Sequence, residues 1–531
     1  ALMILAINRN RRLIKRILLK IFYSFILLVL LGGLSFSGYI IALSQNEIQI
    51  LINTEKEYQV INGFGASSAW TFQEIGKLSE KDQDDIIDKL YSKSGLDLNI
   101  YRFNIGAGSA ETRFDNLEPY NDKDFDQSRR AESFFVSESF QGDYSVFSSI
   151  NNYDFSKDQG SINMLRKAYE KGEIKKTVLF ANSPHYLMTH SGKAIGEYEY
   201  QNNLRIECFE AFSDYLLLIA LGLYNEVISP LSYETDIYIS PVNEPQWRWG
   251  GEGSTQEGCH YDPDILASFY QFFYEKLKDF NLLKGTSFKM EIFESGNYIL
   301  KEGEKSRVKE YIDEFKKYEF YSAISQLSFH SYGTNTDIPT REEFSSFSLE
   351  ELEDKEIIMS EYCHMKSGNS KSISTGLYTG LVILRDLQFI QVAEWSWWLG
   401  VSDLPFEDGL VYWDHKNSSE NSFFLTKRYY VYGHFSKYLT PGSKIVERSI
   451  LDPLKIGRTD VIAAKNEDGI VVILINKSIL PQRIYMPLQY ENAISVTTTN
   501  EFNWKKDEYQ YNGVISLPAN SITTLLFSND N

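Results

Sequence analysis

Cysteine is scarce: three occur in 531 residues, Cys208, Cys259 and Cys363, and none forms a C-x-x-C pair. Three cannot build a disulfide framework, so stability has to come from core packing. A surplus of basic charge is also missing. Lysine and arginine number 53 against 72 aspartates and glutamates, giving a formal net charge of −19 and a pI near 5.0. Such a surface repels phosphate backbones, which argues against a nucleic acid partner. There is no short internal repeat and no long low-complexity tract. The G-x-G-x-x-G spacing of a dinucleotide-binding turn is absent too, since residues 63–68 read GFGASS. Without that turn, a doubly wound nucleotide-binding sheet drops out.

What is present is an ordinary globular composition, 43% hydrophobic and 24% charged. The length suits one large catalytic domain with a smaller partner. Aromatic residues reach 15%. A ring-rich core accounts for most of them, and flat amphipathic ligands such as sugars suit the remainder.

Residues 1–46 read as a separate unit. Arg9, Arg11, Arg12, Lys15, Arg16 and Lys20 precede an uncharged apolar stretch, residues 21–43, long enough to cross a bilayer. The basic cluster is expected to stay cytoplasmic, which places everything after residue 46 on the outer face. An uncleaved signal anchor fits this length. A cleaved signal peptide, followed by secretion, is the alternative.

From residue 61 short apolar runs alternate with longer amphipathic stretches. Eight strands are expected, at 61–70, 98–105, 177–182, 237–243, 288–294, 326–332, 357–362 and 392–398. Helical patterns lie between them, as at 82–90, 206–224, 265–277 and 374–387. Eight alternating units predict an α/β fold, a (β/α)8 TIM barrel over 61–438. Over 439–531 the pattern changes to short strands separated by Asp, Asn, Gly and Pro turns, at 461–464, 470–475, 484–486, 493–499, 509–517 and 522–527. That spacing predicts a β-sandwich. The extended stretch 47–60 is expected to join it, so the second domain is built from both chain ends.

Catalytic groups of such barrels sit at the carboxyl ends of strands. Two acids fall there. Glu244 follows Asn243 after strand four, and Glu361 ends strand seven within Ser360-Glu361-Tyr362. Strands four and seven face each other across the mouth. Two opposed carboxyl groups can cleave a glycosidic bond, one as acid and one as nucleophile. Asn243 is placed to orient a sugar hydroxyl, while Arg102 and Tyr332 are placed to keep Glu361 ionised.

These residues resemble glycoside hydrolase family 30, a retaining family. The resemblance rests on GFGASSAW (63–70), YRFNIGAGS (101–109), FANSPHYLMT (180–189), SPVNEPQWRW (240–249), QEGC (256–259), FHSYG (329–333), MSEY (359–362) and WSWWLGVS (395–402). It implies that Glu244 is the acid/base and Glu361 the nucleophile, with support from Arg102, Asn243, His330 and Tyr332. Within the family the motifs look most like the endo-β-1,6-galactanase branch. The glucosylceramidase branch has Ser-Pro-Trp at strand three, where Phe180-Ala181-Asn182 stand here. The expected activity is therefore hydrolysis of a β-1,6-galactan or a related β-glycan, with β-1,6-glucan, xylan or a β-glucoside as alternatives. A non-catalytic surface protein that only binds glycans is the alternative of another class.

Other residues carry two readings. Trp70, Trp247 and Trp398 are candidate sugar platforms, and Asn182 a candidate sugar contact. Trp249, Trp395 and Trp397 cluster near strand ends with those three tryptophans, and several of the six must be core, because alternation along strand eight sends neighbours to opposite sides. Glu294 ends strand five and reads first as an acid paired with a neighbouring base. Cys259-His260 and Cys363-His364 match no tight zinc spacing, and the chemistry requires no metal or other cofactor.

Overall fold

The computed structural model describes residues 47–111, 129–231, 234–251, 256–300, 307–352, 354–415, 422–452 and 459–528, with isolated positions between 29 and 41. The expected membrane segment, residues 21–43, lies otherwise outside the described residues. Among those described, no helix is long and apolar enough to cross a membrane.

The chain opens with a long strand, β1 (Glu47–Val60), and then enters the barrel. The barrel strands are β2 (Gly63–Ser67), β3 (Ile100–Ile105), β4 (Lys176–Ala181), β5 (Asp236–Ser240), β6 (Lys289–Met290), β7 (Phe293–Ser295), β8 (Gln326–His330), β9 (Glu356–Glu361) and β10 (Glu394–Ser402). They pair in parallel in the order β6-β5-β4-β3-β2-β10-β9-β8-β7. β6 and β7 are two halves of one interrupted barrel strand. Backbone bonds Glu291 N to Ile239 O (2.9 Å) and Ser328 N to Ile292 O (2.7 Å) tie it to both neighbours and close the barrel. Eight strand positions thus form a TIM-like barrel, as the alternation predicts.

The strands read as unbroken apolar runs because both faces are covered. β3 and β4 are buried at every position. One face fills the barrel and the other meets helices. Those helices start and stop where their ends demand. Ser79 caps the helix Glu80–Tyr91 by accepting from Asp82 N. The helix Pro263–Lys284 begins with proline and ends at Gly285, whose φ of 67° suits glycine.

After β10 a feature absent from the sequence reading appears. β11 (Gly409–Asp414) joins β10 in parallel, and β12 (Ser422–Leu425) folds back on it. The chain then builds the second sheet: β13 (Lys444–Leu451), β14 (Thr459–Asn466), β15 (Gly469–Asn476), β16 (Gln482–Tyr485), β17 (Asn492–Thr498), β18 (Lys505–Gln510), β19 (Val514–Leu517) and β20 (Ser521–Ser528). β1 lies between β13 and β16, so this sheet does draw on both chain ends. The single strand expected at 509–517 is two, split by a turn at Gly513 (φ 83°). β15 shows how the two bodies share a wall. Val471, Ile473 and Ile475 face the barrel core, while Ile470, Val472 and Leu474 face a separate core inside the sandwich.

Candidate active site

β5 ends at Ser240, and three residues carry the chain to Glu244. Glu244 has a φ of 47°, a left-handed conformation unusual outside glycine. Backbone bonds fix it there. Its N–H donates to Glu294 O at 2.8 Å, and its carbonyl accepts from Trp247 N (3.1 Å) and Trp249 Nε1 (3.0 Å). Glu361 is the last residue of β9. One carboxyl oxygen of each acid and a ring nitrogen of His330 lie within 4.8 Å of one another.

Arg102 rises from β3 and donates to two acids. Nη1 reaches Glu361 Oε2 at 3.1 Å and Nη2 reaches Glu294 Oε1 at 3.3 Å. The Tyr332 hydroxyl donates to Glu361 Oε1 at 3.1 Å. His330 bridges the other pair, with Nδ1 3.0 Å from Glu244 Oε1 and Nε2 2.9 Å from Glu294 Oε2. Glu294 accepts further bonds from Ser360 Oγ and, at 3.3 Å, from Ser240 Oγ. The acid of strand five therefore does pair with a base, as its first reading had it. It also holds the two cations that flank Glu244 and Glu361.

Burial disfavours charge on Arg102, Glu294, His330 and Glu361, and the partners decide the outcome. For Glu294, Arg102, His330 and Ser360 outweigh burial and hold the carboxyl down at about 2. Burial likewise opposes a charged His330, but Glu361, Glu244 and Glu294 raise it to about 10, so it is an imidazolium at neutral pH. Burial lifts the Glu361 carboxyl above its ordinary range, against the pull of His330 and Arg102. Three carboxyl groups, Glu244, Glu294 and Glu361, thus meet two cations, Arg102 and His330.

Glu244 and Glu361 open onto a cavity of about 640 Å³ that Asn243, Tyr332, Trp70, Trp247, Trp249 and Trp398 help to line. Trp70 and Trp398 meet edge to face at 5.2 Å between ring centroids. Trp395 and Trp397 are fully buried; the indole of Trp395 bonds to Asp386, and both belong to the core. Asn182 stands apart from the lining, its amide donating to Asn104 Oδ1 at 3.2 Å. His260 and His364 are engaged elsewhere, with Trp247 O and Glu407.

The sequence profile of O-glycosyl hydrolase family 30 matches residues 47–412. The chain belongs to that family. This family 30 hydrolase is 22% identical over 414 residues to an endo-β-1,6-galactanase of Hypocrea rufa, covering 75% of this chain and 76% of that protein. Among solved structures it resembles a conserved exported protein from Bacteroides fragilis, with a TM-score of 0.74 at 23% identity over 90% of this chain and 99% of the other. It also resembles the catalytic domain of a family 30 xylanase C from Talaromyces cellulolyticus, with a TM-score of 0.65 at 19% identity over 91% and 100%.

One residue of this hydrolase had no role in the sequence reading beyond its place in a motif. Glu257 of QEGC is buried and accepts bonds from Ala107 N (3.1 Å), Ser109 N (3.3 Å) and Ser109 Oγ (2.6 Å). It ties the loop after β5 to the GAGS loop after β3. Gly106 is needed in that loop because a side chain there would strike the Glu132 carbonyl. No local pattern reveals such a bond, since its ends are about 150 residues apart. Glu257→Ala strands three buried donors at about 1–3 kcal/mol each. The expected result is a clear fall in melting temperature by calorimetry. An unchanged melting temperature would mean the loops hold without it.

Proposed function

We propose that this hydrolase cleaves a β-1,6-linked galactan, or a closely related β-glycan, by double displacement with retention of configuration. The observation that carries the reading is the approach of Glu244 and Glu361, whose carboxyl oxygens come within 4.8 Å across one cavity. Retaining enzymes keep these groups about 5–5.5 Å apart, whereas inverting enzymes need about 6.5–9.5 Å for a water.

The proposed roles follow from the contacts. Glu361 accepts from Arg102 and Tyr332, which favours its anion. The acid/base role is proposed for Glu244, which faces His330 through one oxygen and leaves the other towards the cavity it lines. In the first step a Glu361 oxygen bonds to the anomeric carbon. The bond to the leaving oxygen breaks, and that oxygen takes the Glu244 proton. In the second step water gives a proton to Glu244 and its oxygen to the anomeric carbon, and the bond to Glu361 breaks. Asn243 supports this as a sugar contact, because its Oδ1 is buried without a hydrogen-bond partner beside Glu244. Trp70 and Trp398 are proposed as sugar platforms, and Trp247 as a wall on the leaving-group side.

The substrate proposal leans on the motifs shared with the galactanase branch and on the Hypocrea rufa relative. The basic and apolar N-terminal segment supports a place on the outer face of a membrane, anchored or released. The test is a panel of β-linked polysaccharides incubated with the chain from residue 47, following reducing-end release and product anomer by NMR. Release from β-1,6-galactan with the β-anomer formed first is the expected result. First appearance of the α-anomer would sink retention. Release only from β-1,6-glucan or xylan would move the substrate, and tight binding without release would favour a glycan-binding protein.

A further inference from the structure

We propose that Asp408 recognises the glycone: its buried carboxylate accepts hydrogen bonds from hydroxyl groups of a neutral sugar ring held on the nucleophile side of the cleavage point. The inference rests on the proposed role of Glu361.

Asp408 lies between β10 and β11 and lines the same cavity as Glu244 and Glu361. It is 2% exposed. Its backbone carbonyl accepts from Trp397 Nε1 and Leu399 N, which locks the residue to the rim of β10. Its Oδ1 is buried with no hydrogen-bond partner. A buried acceptor left unmatched is costly, and proteins rarely keep one without a use. Burial pushes this carboxyl up to about 6, with Ser402 and Arg129 acting in the other direction, so it is ionised at neutral pH. An ionised carboxylate only accepts, so the missing partner must be a donor.

Its neighbours say which donor. Trp70, Trp398 and Phe406 line the same cavity, and the Arg129 guanidinium lies 5.1 Å from the Trp70 ring centroid. Apolar ring faces beside an acceptor suit a sugar, which offers both an apolar face and hydroxyl donors. Asn243 Oδ1 is a second unmatched buried acceptor on that cavity, which again calls for a ligand rich in hydroxyls. The side is set by the backbone. Trp398 N bonds to Tyr362 O, the residue after Glu361, while Trp247 and Trp249 hang from the Glu244 carbonyl. The Asp408 end therefore belongs to the sugar that Glu361 attacks.

The test is a cycle of protein and substrate changes. The parent, Asp408→Ala and Asp408→Asn are assayed on 4-nitrophenyl β-1,6-galactobioside and its monodeoxy forms, or on the gentiobioside series if β-1,6-glucan is the polymer cleaved. Loss of a bond to a charged group predicts a fall in kcat/KM of about 10- to 100-fold for Asp408→Ala. Removing one particular glycone hydroxyl should cost the parent a similar factor and cost Asp408→Ala almost nothing more. Additive losses in every deoxy form, or no loss in the variant, would overturn the proposal. Asp408→Asn keeps the shape and one neutral acceptor, so it should fall between the two and serves if the alanine variant does not fold. A parent that cleaves neither series would instead count against the proposed function. A parent that cleaves, with variants that match it, would count against Asp408 alone.

Discussion

Replacing Glu361 with glutamine should leave less than about one part in 10⁴ of the hydrolytic rate, because no covalent intermediate can then form. The fold should survive, since glutamine keeps the shape: its one carbonyl oxygen can still accept from Arg102, and the Tyr332 hydroxyl can turn to accept from its amide. Glu244→Gln should behave differently. With a polysaccharide, which needs its leaving oxygen protonated, the loss should be about 10²–10⁴-fold. With a 4-nitrophenyl glycoside, whose leaving group needs no proton, the first step should run almost normally and the intermediate should accumulate. Azide should then rescue Glu244→Gln by attacking that intermediate, giving a β-glycosyl azide. In Glu361→Gln azide can only attack the substrate directly, giving the α-azide. Mass spectrometry and NMR of the azide products read both outcomes. The same azide anomer from both variants, or equal losses on both substrates, would remove the assignment of roles.

The barrel was legible because its strands are buried on both faces. β3, β4 and β9 are short buried runs that stop at small or polar residues, Gly106, Asn182 and Glu361, and such stops mark the rim of the barrel directly. Glu244 and Glu361 could be singled out because barrel geometry alone brings strands four and seven to one mouth. Less of the rest was visible. The break between β6 and β7 leaves no trace in apolar spacing, because Ile292 and Phe293 continue the run. β13 went unread because only Ile445 and Val446 are buried and the polar run Glu447-Arg448-Ser449 breaks its apolar pattern. The β11–β12 hairpin follows directly on β10, and its apolar residues merge with that strand's pattern. His330 sits near Phe329 and Tyr332 in the sequence, a setting that a packed core histidine shares. Only the structure puts a carboxylate on each of its nitrogens. Glu257 owes its bonds to partners about 150 residues away, which composition and periodicity do not encode.

His330 gives the second large effect, on stability as a function of pH. Its ordinary value of 6.5 is raised to about 10 by the three acids it faces, with burial acting the other way. A raised basic group contributes stability that is fully present below about pH 6.5. That contribution falls as pH rises and is gone above about 10. Glu294 has the opposite sign. Its carboxyl is held at about 2, so its contribution is present above about pH 4.5 and is lost as pH falls towards 2. Neither of these two contributions changes between about pH 4.5 and 6.5; His330 adds a decline above that window and Glu294 one below it. His330→Gln removes one cation from a buried set of three acids and two cations. Breaking such a set should cost about 3–5 kcal/mol at pH 6. The alkaline decline between pH 6.5 and 10 should flatten in the variant, because the group that titrates there is gone. Calorimetric melting of parent and variant at intervals from pH 4 to 10 separates these effects. Curves that run parallel from pH 6.5 to 10 would show that His330 does not carry its charge in the folded protein. Arg102 would then be the cation that holds Glu294 and Glu361.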